Sequence, residues 1–227
     1  MKIGRSLAEA AHRFPLAAPL VRQVQNSLRI RRSRRNAARL AADGCGAPAP
    51  AQMGGFAASP AEYSLWIAAH EPQEADLRRQ RATSHAFSHQ PLISIVVPVY
   101  KVPLEILTST LESLKKQTYP HWEACIAFAD PDGEANAQYL RAAARKDSRI
   151  RLTFPAANGG IAANSNEALA LAQGEFIALV DHDDELTPHA LYEMVEAINA
   201  DPEADFLYSD KDSIDEQGTL RQNATGP

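Results

Sequence analysis

Cysteine is nearly absent, with only Cys45 and Cys125 in 227 residues. One lies in an Ala/Gly/Pro segment and the other in a strand-like run. Two such thiols supply neither a disulfide framework nor a zinc ligand set, and they suit a reducing compartment. Long apolar runs are missing too. No stretch reaches the roughly 18–20 residues that cross a bilayer as a helix, and no uninterrupted apolar core follows the first charges as in a secretory signal. Acids are scarce at the start. Residues 1–40 carry ten lysines and arginines against Glu9 alone, while the whole chain has a net charge of −5, so the remainder is strongly acidic. Aromatics are also scarce in this basic arm, which argues against stacking on bases, and no nucleic-acid partner is expected. Leu20, Val24 and Leu28 recur at helical spacing beside Arg22, Arg29 and Arg32. That pattern allows a basic amphipathic helix in peripheral contact with a membrane. A solvated arm is the default reading, and an Arg-rich transit peptide is a third.

Apolar residues make up 45% of the chain, enough for one sizeable domain with an appendage. Three regions are expected. Residues 1–58 are the basic arm and an Ala/Gly/Pro-rich linker. Residues 59–90 are a helical lead-in with Tyr63, Trp66 and Ile67 on one face, followed by polar sequence from 71 onward. Residues 91–227 alternate between two periodicities. Strands are predicted over 92–99, 122–128, 149–154, 175–180 and 204–208. The helices between them are marked by Leu104, Leu107, Leu111 and Leu114, by Tyr139, Leu140 and Ala143, by a small-residue stretch running to 172 and stopped by Gly174, and by Leu191, Met194, Val195 and Ile198. Thr187 and Pro188 suit the start of the last helix. This order predicts an α/β fold, a largely parallel sheet with helices on both faces and ligands at the carboxyl ends of its strands. That edge should gather Pro98 and Tyr100, Asp130 and Asp132, Asn158 to Gly160, Asp181 to Asp184, and Ser209 to Asp212.

Asp181, His182, Asp183 and Asp184 are the most informative of these. Clustered carboxylates repel one another. A hard divalent cation relieves the repulsion, because Mn²⁺ and Mg²⁺ prefer carboxylate and phosphate oxygens. The cluster therefore points to a metal site for a phosphorylated ligand, with a solvated acidic turn as the alternative. A phospho-acceptor domain built on Asp181 would also need an acid pair near the first strand and a lysine after a later one, and neither stands where needed.

Four segments stand out together: residues 91–100, ending Pro98-Val99-Tyr100; Gln117-Thr118-Tyr119-Pro120-His121-Trp122-Glu123; Asn158-Gly159-Gly160 through Asn166; and Gly174 through Leu186 with its Asp-His-Asp-Asp. Taken together they resemble the family 2 glycosyltransferases of GT-A fold. Tyr63 with Trp66, and Tyr208-Ser209-Asp210-Lys211-Asp212, are similar to a bacterial subgroup acting on O-antigen and other surface polysaccharides. The resemblance spans about 60 to 220. It implies metal-dependent, inverting transfer of a sugar from a nucleotide-diphosphate donor to a hydroxyl of a glycan or lipid-linked acceptor. It also implies a cytoplasmic location, at the inner face of the membrane if the arm binds there. By the same resemblance Asp183 ligates Mn²⁺ or Mg²⁺, and Asp181 contacts the metal or the ribose. Pro98 and Tyr100 flank the base, while Asn158, Gly160 and Asn166 close the nucleotide side. For Asn166, a helix residue satisfied by local hydrogen bonds is an equal reading. His182 is read as a spacer whose flanking carboxylates could favour its charged form.

Two departures qualify the resemblance. Where the family has two aspartates after the second strand, this chain has Phe128 and Ala129, with Asp130 displaced. The family's catalytic base lies far downstream of the acidic motif, and Asp210, Asp212 and Asp215 come too early for it. The expectation is a chain truncated at its C-terminus that lacks the base, with a non-catalytic nucleotide-sugar-binding remnant or scaffold as the alternative to an enzyme.

Overall fold

Residues 93–99 carry no charged side chain, and a strand of that composition must be covered on both faces. The structure, a computed structural model, describes Leu65, residues 67–209, and the backbone of residues 213–214 and 220–221. The basic arm, Tyr63, Trp66, Asp210 to Asp212 and Asp215 lie outside the described residues. Residues 74–203 form one compact unit. A second unit includes the described residues on either side of it. These comprise a helical turn over 67–70 and the antiparallel pair β5 (Ser213–Ile214) and β6 (Leu220–Arg221). No helix among the described residues is long and apolar enough to cross a membrane.

The main unit runs α1 (Glu74–Thr83), β1 (Ile93–Val99), α2 (Leu104–Lys115), β2 (Trp122–Phe128), α3 (Glu134–Lys146), β3 (Ile150–Thr153), α4 (Ile161–Leu169), β4 (Phe176–Leu179) and α5 (Ala190–Ala200). The four strands form one sheet in the order β3-β2-β1-β4, every pair parallel. The α/β expectation therefore holds. Every residue of β1 and β2 is buried. Ile93, Ile95, Val97 and Val99 face a core shared with Leu107, Leu111 and Leu114 of α2, Leu140 of α3 and Val195 of α5. Each buried leucine contributes about 1.5–3 kcal/mol by leaving water. On the opposite face Val96 and Ala127 pack against Ala168 and Leu169 of α4, which is why β1 lacks an alternating pattern.

Pro98 sits in a central strand, where proline is ordinarily excluded for want of an N–H. The ladders explain it. β1 pairs with β2 through Val99 but with β4 only through Val96. Val96 O accepts from Val180 N on the β4 side (3.1 Å), whereas Val99 O accepts from Ala129 N on the β2 side (3.0 Å). By alternation Pro98 faces the β4 side, just past the end of that ladder, where no hydrogen bond is forfeited.

At the opposite end of the sheet a polar knot fixes β4 beside β1. Glu123 Oε1 accepts from Ser94 Oγ and from Gln173 N, both at 2.6 Å, and Oε2 accepts from Arg151 Nη1 at 3.2 Å. Ser94 Oγ in turn accepts from Gly174 N at 2.7 Å. A Cβ on Gly174 would lie 2.5 Å from Leu92 O and 2.7 Å from Ser94 N. Gly174 is thus required by close approach to β1. The sequence reading of it as a helix stop is corrected, since α4 ends at Leu169.

Three further expectations change. Residues 204–208 form no strand. They contain no β-branched residue and one charge, Asp205, and no described strand pairs with them. α1 arises in sequence read as polar connection. It is supported by ion pairs of Glu74 with Arg78 (3.6 Å) and of Asp76 with Arg79 (2.7 Å), and only Gln80 is buried. α5 begins at Ala190 rather than Pro188, for a reason that lies in the site.

Candidate functional site

Because the strands are parallel, their carboxyl ends emerge on one edge. After β4 the chain leaves the ladder at Val180 and turns, with Asp184 N donating to Asp181 O at 3.2 Å. Asp181 and Asp183 are exposed, while His182 between them is half-buried and directed inward. His182 Nδ1 lies 3.0 Å from Pro98 O. His182 is therefore not a spacer, because it ties the acidic turn to the end of β1.

The segment that follows has no regular structure before α5, so its backbone polar groups need partners from elsewhere. Helix α2 and the turn after it provide them. Thr110 Oγ1 donates to His182 O at 2.9 Å, and Ser113 Oγ accepts from Leu186 N at 3.1 Å. Gln117 Nε2 donates to Thr187 O at 2.8 Å, while its Oε1 accepts from Leu191 N at 3.0 Å. Thr118 N donates to Pro188 O at 2.8 Å. Gln117 thus caps α5 from a distant part of the chain. Ala190 N bonds Thr187 O at 2.9 Å, so Thr187 contributes its carbonyl rather than a side-chain cap. Thr110, Ser113 and Gln117 follow helical spacing beside the leucine stripe and are all buried. The sequence reading missed them as site-shaping residues. The signal was present as two polar residues on a core-facing helix and a third just past its end.

At the end of β1, Tyr100 is half-buried and Lys101 is exposed. Lys101 has a φ of +49°, unusual for a residue with a Cβ. Its Nζ lies 5.3 Å from the Tyr100 ring centre. The Tyr100 hydroxyl is the main cause that raises the lysine's pKa above its ordinary value, with a smaller contribution from Asp130 and Asp132. The edge therefore presents a cation as well as the acidic turn.

After β2, Phe128 and Ala129 are both buried, so neither position offers a polar group to a ligand. Asp130 is half-buried and engaged in its own turn, its Oδ1 accepting from Asp132 N at 3.2 Å. Phe128 meets Phe154 edge to face at 6.0 Å, and the Arg141 guanidinium lies 4.5 Å from the centre of the Phe154 ring. These groups and Asp130 line a pocket of about 130 Å³.

Asn158 and Gly160 stand at the start of α4. Asn158 Oδ1 accepts from Gly160 N (3.0 Å) and from Asn164 Nδ2 (2.8 Å), which spends the side chain on shaping the loop. Gly160 has φ +83° and ψ 173°, a region almost confined to glycine. Asn166 is half-buried within α4, and its carbonyl accepts from Ala170 N at 2.9 Å. The structure thus links Pro98 directly to the acidic turn and sets Tyr100 and Asp130 at adjoining strand ends, whereas Asn158, Gly160 and Asn166 belong to α4 and its approach.

Among the described residues no three acidic, histidine or cysteine side chains converge as a metal centre complete in itself. Asp181 and Asp183, with Asp184 beside them, are the exposed carboxylates of the turn. That set fits a hard divalent ion of the Mg²⁺ type, which takes one or two protein carboxylates and completes its shell with phosphate and water.

The profile of Glycosyl transferase family 2 matches residues 94–224, more than half of the chain. The chain is 43% identical over 129 residues to the uncharacterized protein y4gI of Sinorhizobium fredii, covering 57% of this chain and 14% of that protein. It is 35% identical over 158 residues to the O-antigen biosynthesis protein RfbC of Myxococcus xanthus, covering 70% of this chain and 12% of that one. A third relative is the UDP-Glc:alpha-D-GlcNAc-diphosphoundecaprenol beta-1,3-glucosyltransferase WfgD of Escherichia coli, 36% identical over 93 residues, 41% of this chain and 35% of that one. The chain spans well under half the length of each of these relatives.

Proposed function

Since the chain belongs to glycosyl transferase family 2, we propose that residues 91–227 are the part that binds the nucleotide-diphosphate sugar donor of a transferase that builds cell-surface polysaccharide. The observation that carries this reading is the acidic turn. It stands at the carboxyl edge of a parallel sheet, with Asp181 and Asp183 exposed and its backbone strapped to α2 and β1. Asp183 holds Mn²⁺ or Mg²⁺, and Asp181 holds the metal or the ribose. Such an ion, when bound, stabilises the charge that develops on a leaving diphosphate. Pro98 and Tyr100 flank the base, and Asp130 borders it from the end of β2. Lys101 presents its ammonium on the same edge, suited to phosphate. Asn158, Gly160 and Asn166 close the nucleotide side from α4. Transfer is inverting: an acceptor hydroxyl attacks the far side of the sugar as its bond to the nucleotide diphosphate breaks, and the hydroxyl proton passes to a carboxylate base.

The names of the relatives support the wider setting. One is an O-antigen biosynthesis protein and another acts between UDP-Glc and a diphosphoundecaprenol-linked sugar. We infer a glycan or lipid-linked acceptor, reached from the cytoplasmic side, with the basic N-terminal arm in peripheral contact with the inner membrane face. The buried Phe128 and Ala129, which offer no polar group to a ligand, favour a second reading, a non-catalytic binding or scaffold module.

Titration calorimetry of the chain with Mn²⁺ and UDP, GDP or dTDP tests donor binding. One nucleotide should give metal-dependent heat that Asp183→Ala removes. Absence of heat with all three would end the donor reading. Sugar transfer by this chain from the matching donor would eliminate the binding-module alternative.

A further inference from the structure

We propose that His182 is a positioning residue whose Nδ1–H extends the β1–β4 ladder by one bond beyond the backbone and thereby presents Asp181 and Asp183 outward. The ladder itself sets the register. Phe176 N reaches Leu92 O and Val180 N reaches Val96 O, so each two-residue step on β4 answers a two-residue step on β1. The next acceptor in that series is Pro98 O, and the next donor would be the backbone N of residue 182. In its place the imidazole Nδ1 of the same residue stands 3.0 Å from Pro98 O. The chain can therefore leave the sheet at the acidic turn while the outermost carbonyl of β1 on this side keeps a donor.

Two consequences follow from the chemistry of the groups. A carbonyl only accepts, so Nδ1 must carry the proton, and the neutral ring is held in the Nδ1–H tautomer. The residue is also held from its other side, where Thr110 Oγ1 donates to His182 O at 2.9 Å. With ring and carbonyl both fixed, the residues on either side cannot turn inward together with it. Asp181 and Asp183 are exposed while His182 is half-buried. The acid-histidine-acid order is then a mechanical requirement, two ligands outward and one anchor inward.

The inference rests on the donor reading of Asp181 and Asp183 for its use, though not for its geometry, and the test separates the two. Long-range ¹H–¹⁵N NMR of the full chain, at a pH where the ring is neutral, reports the tautomer without any ligand. The expected result is Nδ1–H, and an Nε2–H ring would overturn the proposal. Mn²⁺-dependent binding of the UDP, GDP and dTDP panel is then compared among three variants. His182→Asn places an amide N–H near the Nδ1 position and should keep wild-type affinity within a few-fold. His182→Gln places it near Nε2, and His182→Ala removes it. Both should lose about 10- to 100-fold, the usual range when the support behind a metal ligand is removed. Equal affinity of His182→Ala and wild type, or equal loss in His182→Asn and His182→Ala, would overturn the proposal. If the wild-type chain binds none of the three nucleotides, the donor reading falls and the tautomer alone decides the anchoring.

Discussion

Gln117 offers the sharpest test of how the acidic segment is held. Its side chain is buried, and its amide serves Thr187 O, Ser113 O and Leu191 N at 2.8, 3.3 and 3.0 Å. Gln117→Met conserves volume and deletes these bonds. Leu191 is 3% exposed, so its N–H becomes an orphaned buried donor at the start of α5, which costs about 1–3 kcal/mol. Thr187 O loses one of two partners but keeps Ala190 N at 2.9 Å, so that side costs only the net value of an ordinary hydrogen bond, about 0.5–1.5 kcal/mol. Together the loss should be about 2–4 kcal/mol. With a urea slope of about 1–3 kcal/mol per molar, the midpoint should fall by roughly 1 M or more. Ser109→Ala, on the exposed face of α2, is the control and should stay within about 0.5 kcal/mol. The assay is urea unfolding followed by circular dichroism, with slopes compared. A Gln117→Met midpoint indistinguishable from wild type, at unchanged slope, would refute the idea that this amide holds the segment.

Two further outcomes concern the knot at the other end of the sheet. Burial pushes the Glu123 carboxyl up, but hydrogen bonds from Ser94, Gln173 N and Arg151 outweigh it and hold the group below its ordinary value. Its contribution is then fully present above the unfolded value of about 4.3 and lost as pH falls through the lower folded value. The stability gap between wild type and Glu123→Gln should be widest near neutrality and close below about pH 4, read as urea midpoints along a pH series; a gap independent of pH would contradict this. Gly174→Ala should cost about 3 kcal/mol, at the upper end for overpacking, because the atoms its Cβ would strike, Leu92 O and Ser94 N, are backbone and cannot rotate away. Calorimetric melting that shows a loss under about 1 kcal/mol would mean that β4 can shift off β1 at little cost.

The parts of this fold that could be read from sequence are those whose stability is local or apolar. The uncharged run over 93–99 had to be a doubly covered strand, and Leu107, Leu111 and Leu114 had to face it. The acidic turn was legible because like charges after a buried strand require an explanation. α1 was not legible. Its apolar content is slight, and its one buried side chain, Gln80, bonds to Glu193 and Thr118 far along the chain. The start of α5 was misjudged by two residues for a related reason. Thr187 and Pro188 make a good local start, but the cap comes from Gln117, 74 residues before the Leu191 N–H it accepts from.

The same contrast bears on what the motif around residue 182 is for. Read as a string, Asp-His-Asp invites attention to its acids, and the histidine between them looks incidental. In the sheet the acids need an anchor, because a turn of exposed carboxylates has neither a ladder nor a core of its own to hold it. That anchor is built from one imidazole on Pro98 O, two buried hydroxyls on a helix whose core face is otherwise leucine, and the buried Gln117 amide just past the end of that helix. Hydroxyls and an amide are the economical choice here. A buried lysine or arginine so close to the acids would incur a desolvation cost and would alter the field around them, whereas satisfied hydroxyl and amide groups fix geometry without adding charge beside Asp181 and Asp183. Polar residues interrupting a leucine stripe at positions 110 and 113, with Gln117 just past the end of the helix, are therefore the sequence trace of an irregular segment packed against that helix, and in this chain that segment carries the acidic turn.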